Sequence, residues 1–524
     1  MRERNGDSIV TSIDRRQFLA SAGTLAAATA FPHAHAADSF GLHYRSAREL
    51  AAALAARKVS SVELVNLAIA RIEARDGKLN AVVVRDFDRA RAAAVEADKA
   101  LARREKRPLL GVPMTVKESF NVAGLATTWG IPAGKGFQPR EDALAVQRLK
   151  AAGAIVLGKT NVPLGLADVQ TYNDIYGTTN NPWDVGRTTG GSSGGAAASL
   201  AAGFVALELG SDIGGSLRNP AHYCGVFSHK PSYGLLPSRG HTPPGVQAIP
   251  YEVDLNVIGP MARTAADLAL ALDILAGPDG PQATAFPLAL PASRQRELKN
   301  FRVLVIDEHP LLPTSRDVRA ALDRIVDKIG KAGAKVARSS PLVPDLAVQG
   351  RTFARLLTSV FGADMPEAVY ARIQDIAKSI PAAETSLQSE RVRGIVLSHR
   401  DWTKADRARA GLAQRWRELF RAFDVVLCPV MPTTAFPHDH SETSTRRIAI
   451  DGKDVSYGDQ TMWAGVATLP GLPATAMPIG ISEAGLPIGM QIVGPYLEDR
   501  TPLAFAALAE REFGGFRPPP GYAS

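Results

Sequence analysis

Cysteine is nearly absent from this chain of 524 residues, which contains only Cys224 and Cys428. There is no CxxC pair and no cluster of histidine and cysteine at metal-ligand spacing, so nothing in the sequence indicates a disulfide scaffold or a zinc site. Both cysteines have apolar neighbours, and we expect them to be buried thiols of the core. A chain of this length can bury a large core without disulfides or metals.

Long apolar runs and blocks of like charge are also missing. No segment is long and apolar enough to predict stable insertion into a membrane. The 60 Lys and Arg residues exceed the 52 Asp and Glu residues by a net charge of +8, but they are scattered along the chain. Without a basic stripe and interleaved aromatic residues, nucleic acid is not an expected partner. No internal repeat or low-complexity linker marks a boundary, which favours one large domain.

The N-terminus carries the pattern of an export signal. Arg15-Arg16-Gln-Phe-Leu precedes an alanine-rich stretch, and Ala34-His-Ala36 has the form of a signal-peptidase site. The sequence therefore predicts a twin-arginine-type signal peptide over 1–36, a mature domain over 37–524 and a periplasmic location. Cleavage after Ala36 and the alternative of a disordered tail with a chance arginine pair stay open.

Strand and helix patterns alternate along the mature chain, which predicts an α/β fold with a sheet covered on both faces. Ser46-x-x-Glu49 and Ser60-x-x-Glu63 are capping boxes that predict the starts of two helices. The pattern predicts a strand ending at Lys117, a polar loop over 171–189 and a βαβ-like unit that begins at about 301. The other predicted strands are 154–157, 204–209, 424–428, 474–477 and 488–493. The region of about 280–420 is mostly helical in pattern.

Two familiar motifs match by letter but not by context. Gly153 to Thr160 fits the P-loop pattern, yet its variable positions are Ala, Ile, Val and Leu, which predict a strand rather than a phosphate-binding turn. Gly190 to Gly194 fits the G-x-S-x-G elbow, but the preceding residues are polar and turn-like instead of an apolar strand. We therefore expect neither ATP binding nor a Ser-His-Asp triad.

Three polar side chains in glycine-rich or strand-end settings form the strongest candidate site. Ser216 follows two glycines in Ser-Asp-Ile-Gly-Gly-Ser216, Ser192 lies in Gly-Gly-Ser192-Ser-Gly-Gly, and Lys117 ends a predicted buried strand. Consecutive glycines let main-chain N–H groups converge on one point, which suits an oxyanion. A buried lysine loses its charge more readily and can serve as a base that activates a serine.

With these motifs in place, the chain resembles the amidase-signature family over most of its mature length. The matching segments include 111–117, 158–161, 181–183, 230–232, 469–473 and 485–491, in addition to the two glycine-serine clusters. The resemblance implies a single domain with a large twisted mixed sheet and helices on both faces. It also implies hydrolysis of an amide bond through an acyl-enzyme, with no metal or cofactor.

The resemblance also implies a role for each residue of the site. Ser216 is the nucleophile, Ser192 is a bridging serine beside an unusual cis peptide bond, and Lys117 is the base. The main-chain N–H groups of Ile213, Gly214, Gly215 and Ser216 form the oxyanion hole, and Asp212 and Arg218 brace the loop. Leu166 and Asp168 align with a segment that lines the acyl pocket, so both are candidate substrate contacts, although Asp168 can equally be a solvated or capping residue.

The substrate stays open, because 280–420 shows little resemblance to any subgroup and is the region that shapes the pocket in such enzymes. A small-molecule amide is the expected partner, and a homodimer is possible. The alternatives are an esterase that uses the same serine and an amidotransferase subunit that works with partner proteins. A binding protein without activity is disfavoured because the three candidate catalytic side chains are all present.

Overall fold

The structure is a computed structural model that describes residues 41–523, and the predicted signal peptide over 1–36 lies outside the described residues. The helices in chain order are α1 (Ala47–Ala55), α2 (Ser61–Arg75), α3 (Phe87–Ala102), α4 (Leu144–Ala151), α5 (Gly194–Ala201), α6 (Arg218–Cys224), α7 (Ala265–Leu275), α8 (Gln282–Ala285), α9 (Arg316–Lys331), α10 (Leu346–Gly362), α11 (Glu367–Ser379), α12 (Leu387–Ile395), α13 (His399–Ala422), α14 (Met462–Thr468) and α15 (Arg500–Phe513).

The strands divide into one large sheet and three small hairpins. In chain order they are β1 (Val82–Arg85), β2 (Pro113–Lys117), β3 (Ile155–Thr160), β4 (Tyr172–Asn173), β5 (Gly177–Thr178), β6 (Asn180–Asn181), β7 (Asp184–Thr188), β8 (Leu207–Asp212), β9 (Phe227–Lys230), β10 (Val257–Ala262), β11 (Arg302–Val305), β12 (Lys335–Ala337), β13 (Val425–Pro429), β14 (Arg447–Ile450), β15 (Lys453–Ser456), β16 (Ala474–Ile481) and β17 (Pro487–Val493).

The large sheet has 11 strands in the order β1-β3-β2-β8-β10-β9-β16-β17-β13-β11-β12. The pairs β3–β2, β2–β8, β13–β11 and β11–β12 are parallel, and the remaining pairs are antiparallel. The parallel pair β11 and β12 is joined through α9, which confirms the predicted βαβ unit. The fold is therefore the single α/β domain with a mixed sheet that the resemblance implies.

Strand β2 shows how the sheet separates the core from the site. Met114 and Val116 belong to a buried cluster with α7 and α15, where apolar side chains pack. Thr115 and Lys117 alternate with them and point to the opposite face, towards α5. The two-residue period of the strand thus places Lys117 on the polar side of the sheet.

Local sequence signals explain most element boundaries. Both predicted capping boxes are formed, with each serine side chain accepting from the main-chain N–H of the glutamate three residues later. Gly153 follows α4 at φ +96, and a Cβ there would lie 2.5 Å from the Leu110 Cα, so only glycine fits. The following P-loop-like letters form β3, which confirms that they are a strand rather than a phosphate loop.

Some predictions need correction. The predicted loop over 171–189 contains the two short hairpins β4–β5 and β6–β7, because brief pairings of two to five residues leave little periodic signal. The strand predicted at 204–209 begins and ends three residues later, as β8. Between 346 and 422 the chain is mostly helical, as predicted, whereas β11 and β12 lie earlier in the region 280–420 and belong to the large sheet.

Both cysteines are fully buried free thiols, as expected, and burial raises the pKa of each. Among residues 41–523, no helix is both long enough and apolar enough to cross a membrane.

Candidate active site

Lys117 and Ser192 meet between the sheet and α5. The Lys117 Nζ lies 2.6 Å from the Ser192 Oγ, although the two residues are 75 positions apart. It also donates to the Ser211 Oγ at 2.9 Å, at the end of β8. Lys117 is completely buried, and Ser192 is 2% exposed. The first contact of the predicted relay is therefore present.

The loop before α5 holds Ser192 in an uncommon backbone conformation. The peptide bond between Gly191 and Ser192 is cis, as the family resemblance implies. Asn219, at the start of α6, accepts from the Gly191 N–H at 2.9 Å and donates to the Gly191 carbonyl at 2.6 Å. The N–H of Ser193 donates to the Ser216 carbonyl at 3.2 Å. These bonds join the loop of Ser192 to the loop of Ser216.

The main-chain donors around Ser216 are only partly those expected. Within residues 41–523, the N–H groups of Ile213, Gly214 and Ser216 have no hydrogen-bond partner, so they are available to a developing oxyanion. The N–H of Gly215 instead donates to the Asp212 Oδ1 at 2.9 Å. The expected oxyanion hole is thus reduced to three donors, and Gly215 serves to fix the turn through Asp212.

A buried ion pair braces the Ser216 loop. Arg218 donates to both carboxylate oxygens of Asp212, at 3.0 and 2.9 Å. Burial alone would raise the pKa of Asp212, but the Arg218 charge lowers it to about 2, so the carboxylate is ionised. Arg218 also donates to Thr468 and Gln491, which satisfies its remaining donors. This geometry agrees with the predicted bracing role.

The hydroxyl of Ser216 is free. It has no hydrogen bond to any residue in the described range 41–523, including Ser192, and Ser216 is 7% exposed. Hydrogen bonds of a catalytic serine are often long before substrate binds and shorten in the complex. Ser216 is therefore placed beside three free main-chain donors and one loop away from the Lys117–Ser192 pair.

Burial tunes Lys117 for proton transfer. Removal of the ammonium from water lowers the pKa of Lys117 from 10.5 to about 7, and the Asp212 charge opposes this only in part. At neutral pH a large fraction of Lys117 is thus an uncharged amine with a lone pair. Such an amine can accept a proton, which a surface lysine cannot do at this pH.

The two candidate substrate contacts have different surroundings. Leu166 is half-buried at φ +61 in a short turn, and its contact with substrate stays a prediction. Asp168 is neither solvated nor a helix cap, because one carboxylate oxygen accepts from Arg446 at 2.6 Å and the other from the Tyr457 hydroxyl at 2.5 Å. With both oxygens bound inside the protein, we assign Asp168 to this ion pair and not to a substrate contact.

Sequence reasoning missed Ser211 and Asn219. Ser211 was detectable in principle: β2 and β8 are parallel with Val116 opposite Leu209, which brings the strand end at Lys117 near Ser211. Asn219 contacts Gly191 across two loops, and no periodic pattern indicates such a contact. Within residues 41–523, no group of three or more His, Cys, Asp and Glu side chains is placed to hold a metal ion.

Known proteins resemble this chain over nearly its whole length. The family profile described as Amidase matches residues 63–503. The A-chain component of the glutamyl-tRNA(Gln) amidotransferase from Anaeromyxobacter sp. (strain K) is 34% identical over 515 residues, which cover 90% of this chain and 97% of that protein. The fatty-acid amide hydrolase 2-A of Danio rerio is 31% identical over 500 residues and 90% of each chain.

Solved structures share the fold. A bacterial aryl acylamidase of the amidase-signature family superposes with a TM-score of 0.74 at 24% identity and covers 90% of this chain and 97% of its own. A chain from a protein complex tied to the origins of an s-triazine catabolic enzyme gives a TM-score of 0.73 at 29% identity and covers 90% and 100%. The likeness to the first of these supports the fold alone.

Proposed function

Because the chain belongs to the amidase family and is an amide-hydrolysing enzyme, we propose that it cleaves a carboxylic amide through an acyl-enzyme on Ser216. In this proposal Ser192 relays protons and Lys117 is the base. The observation that carries the proposal is the 2.6 Å contact between the buried, partly uncharged Lys117 amine and the Ser192 hydroxyl.

Acylation begins when the substrate carbonyl lies against the free N–H groups of Ile213, Gly214 and Ser216. The Ser216 hydroxyl turns to Ser192 and gives up its proton as it attacks the carbonyl carbon, while Ser192 passes its own proton to neutral Lys117. The oxyanion of the tetrahedral intermediate is held by the three main-chain donors, each of which is worth roughly 3 kcal/mol in such sites.

Breakdown of the intermediate uses the same relay in reverse. Ser192 donates its proton to the leaving amine and recovers one from protonated Lys117, so the amine departs neutral and the acyl group stays on Ser216. A water molecule then attacks the ester, losing its proton through Ser192 to Lys117, and Ser216 is released with its proton restored. The balance is one amide and one water consumed, with one acid and one amine formed.

The direct test compares an amide with the ester of the same acyl group, over acyl chains of graded size and charge. We expect the purified mature enzyme to hydrolyse at least one amide with saturable kinetics and to release acid and amine in equal amounts. Hydrolysis of the esters with no measurable turnover of any matching amide would favour the esterase alternative and contradict the proposal.

A second candidate function follows from the 34% identity to a component of a glutamyl-tRNA(Gln) amidotransferase. Such a component would use the same serine chemistry but work together with partner proteins. The N-terminal pattern distinguishes the two candidates, because we propose that residues 1–36 direct export to the periplasm. Stable association with partner proteins in the cytoplasm would support the amidotransferase candidate instead.

Export makes a specific prediction for the arginine pair. In a bacterium with the twin-arginine pathway, we expect the wild-type chain to reach the periplasm and to begin at Ala37 by intact mass. The variant Arg15→Lys/Arg16→Lys is expected to stay in the cytoplasm at full length, because the pathway requires the arginine pair. The matched control Arg2→Lys/Arg4→Lys should be exported normally; wild-type protein that starts at Met1 in the cytoplasm would refute export.

A further inference from the structure

We propose that Arg446 is a positioning residue for Ser192, acting through Asp168 and the segment 168–171. The inference rests on the proposed function, since it assigns Ser192 the role of proton relay. Arg446 lies far from Ser192 in sequence and does not contact it, so its effect depends on three successive contacts.

The segment 168–171 encloses the peptide that precedes Ser192. A Cβ on Gly191 would lie 2.4 Å from the Asp168 carbonyl oxygen and 2.8 Å from that of Gln170, so the two backbones are in direct contact. The Thr171 hydroxyl donates to the Gly190 carbonyl at 2.7 Å. A displacement of 168–171 therefore moves Gly190 and Gly191, and with them the Ser192 hydroxyl.

The same segment is held from the other side by residues that come much later in the chain. The Gln170 amide donates to the Asp439 carbonyl at 2.7 Å and accepts from the Asp439 N–H at 3.0 Å. The Asp168 carboxylate accepts from Arg446 and from Tyr457, as described above. Segment 168–171 is thus clamped between the loop of Ser192 and the segment 439–457.

Arg446 is the centre of this clamp. Its side chain is 1% exposed and that of Asp168 is 9% exposed, so the pair is shielded from water. The guanidinium also donates to the Ser441 carbonyl at 2.7 Å and to the Tyr172 hydroxyl at 2.5 Å. It lies over the rings of Tyr172 and Tyr457, at 5.7 and 5.3 Å from their centroids. Every direction of the group is fixed, which suits a rigid support rather than a mobile substrate contact.

The chemistry of the relay gives this support a specific signature. Ser192 acts at two points: it takes the proton of Ser216, and it gives a proton to the leaving group. A displacement on the order of 1 Å in such a group costs about 10²-fold in rate. An amine must be protonated to leave, whereas p-nitrophenolate leaves as a stable anion. Loss of the clamp should therefore lower amide hydrolysis further than hydrolysis of a p-nitrophenyl ester.

The experiment compares Arg446→Met with Arg447→Met, the adjacent arginine, which forms an exposed ion pair with Asp454. The kcat for an amide and for the p-nitrophenyl ester of the same acyl group is measured per active site, as counted by fluorophosphonate labelling. We expect Arg446→Met to lower kcat for the amide by about 30- to 100-fold, at least tenfold further than for the ester. KM should change little, and Arg447→Met should resemble the wild type.

Two further variants keep the test decisive if Arg446→Met does not fold. Asp168→Asn removes the charge that pairs with Arg446 at nearly constant shape and should show the same amide-selective loss, whereas Arg446→Lys should restore part of it. Equal losses for amide and ester, or a change confined to KM, would overturn the positioning role. If Ser216→Ala remained active, the proposed function itself would fail; if that variant is inactive but the amide-to-ester ratio is constant, only the positioning role fails.

Discussion

Ser216→Ala is expected to lower amide turnover by on the order of 10⁵-fold or more, because removal of an attacking serine disables the whole relay at once. The variant should also lose all labelling by a fluorophosphonate probe, since such probes form a covalent bond with the activated serine. The fold should be retained: Ser216 has a free hydroxyl, so its removal leaves no buried polar group without a partner. Circular dichroism and the thermal midpoint measure this.

Ser228→Ala is a matched control for this experiment. Ser228 is a fully buried serine in β9, and within the described residues its Oγ has no hydrogen-bond partner. Its replacement by alanine should leave turnover and labelling unchanged. Full labelling of Ser216→Ala, or loss of labelling in Ser228→Ala alone, would show that the nucleophile lies elsewhere.

Much of this site was predictable because it depends on short motifs and on one strand. Lys117 was placed correctly at a strand end, and the glycines around Ser192 and Ser216 indicated tight backbone turns in both loops. The α/β class followed from alternating periodicity, and both capping boxes defined helix starts. Each of these features is encoded within about ten neighbouring residues.

The errors concern contacts between distant segments and between a loop and its brace. Gly215 was expected to donate to an oxyanion, but its N–H is bound by Asp212, which a glycine motif alone does not reveal. Asp168 pairs with Arg446 across 278 positions, and no local pattern links the two residues. Such pairings are set by tertiary packing, and a single sequence contains no direct record of it.

The structure also shows why one of several buried lysines is suited to be the base. Burial lowers the pKa of Lys117 and Lys230 to about 7 and that of Lys159 to about 8. Lys159 donates to the Ala126 carbonyl and the Thr127 hydroxyl, and Lys230 donates to the Pro231 carbonyl. Of these three, Lys117 alone contacts Ser192. A low pKa is therefore not sufficient, and the position of the amine decides its role.

Replacement of this base is the second large effect that we expect. Lys117→Met should lower kcat for an amide by about 10³-fold or more, since general-base assistance typically contributes 10² to 10⁴ and Ser192 then has no acceptor. In the wild type, kcat/KM should rise with pH through about 7, because protonated Lys117 cannot accept a proton. The residual activity of Lys117→Met should lack this step, and Lys159→Met is the matched buried-lysine control that keeps it.

Stability measurements separate this effect from misfolding. The pKa of Lys117 lies below its unfolded value of 10.5, so between about pH 7 and 10.5 the unfolded chain binds more protons at this site than the folded chain does. By linkage this group makes the free energy of unfolding rise with pH across that window, and the contribution is absent in Lys117→Met. Urea titrations should therefore give the variant a shallower rise between pH 7 and 10. A folded Lys117→Met enzyme with full activity at neutral pH would remove lysine from the mechanism, because no other base contacts Ser192 within residues 41–523.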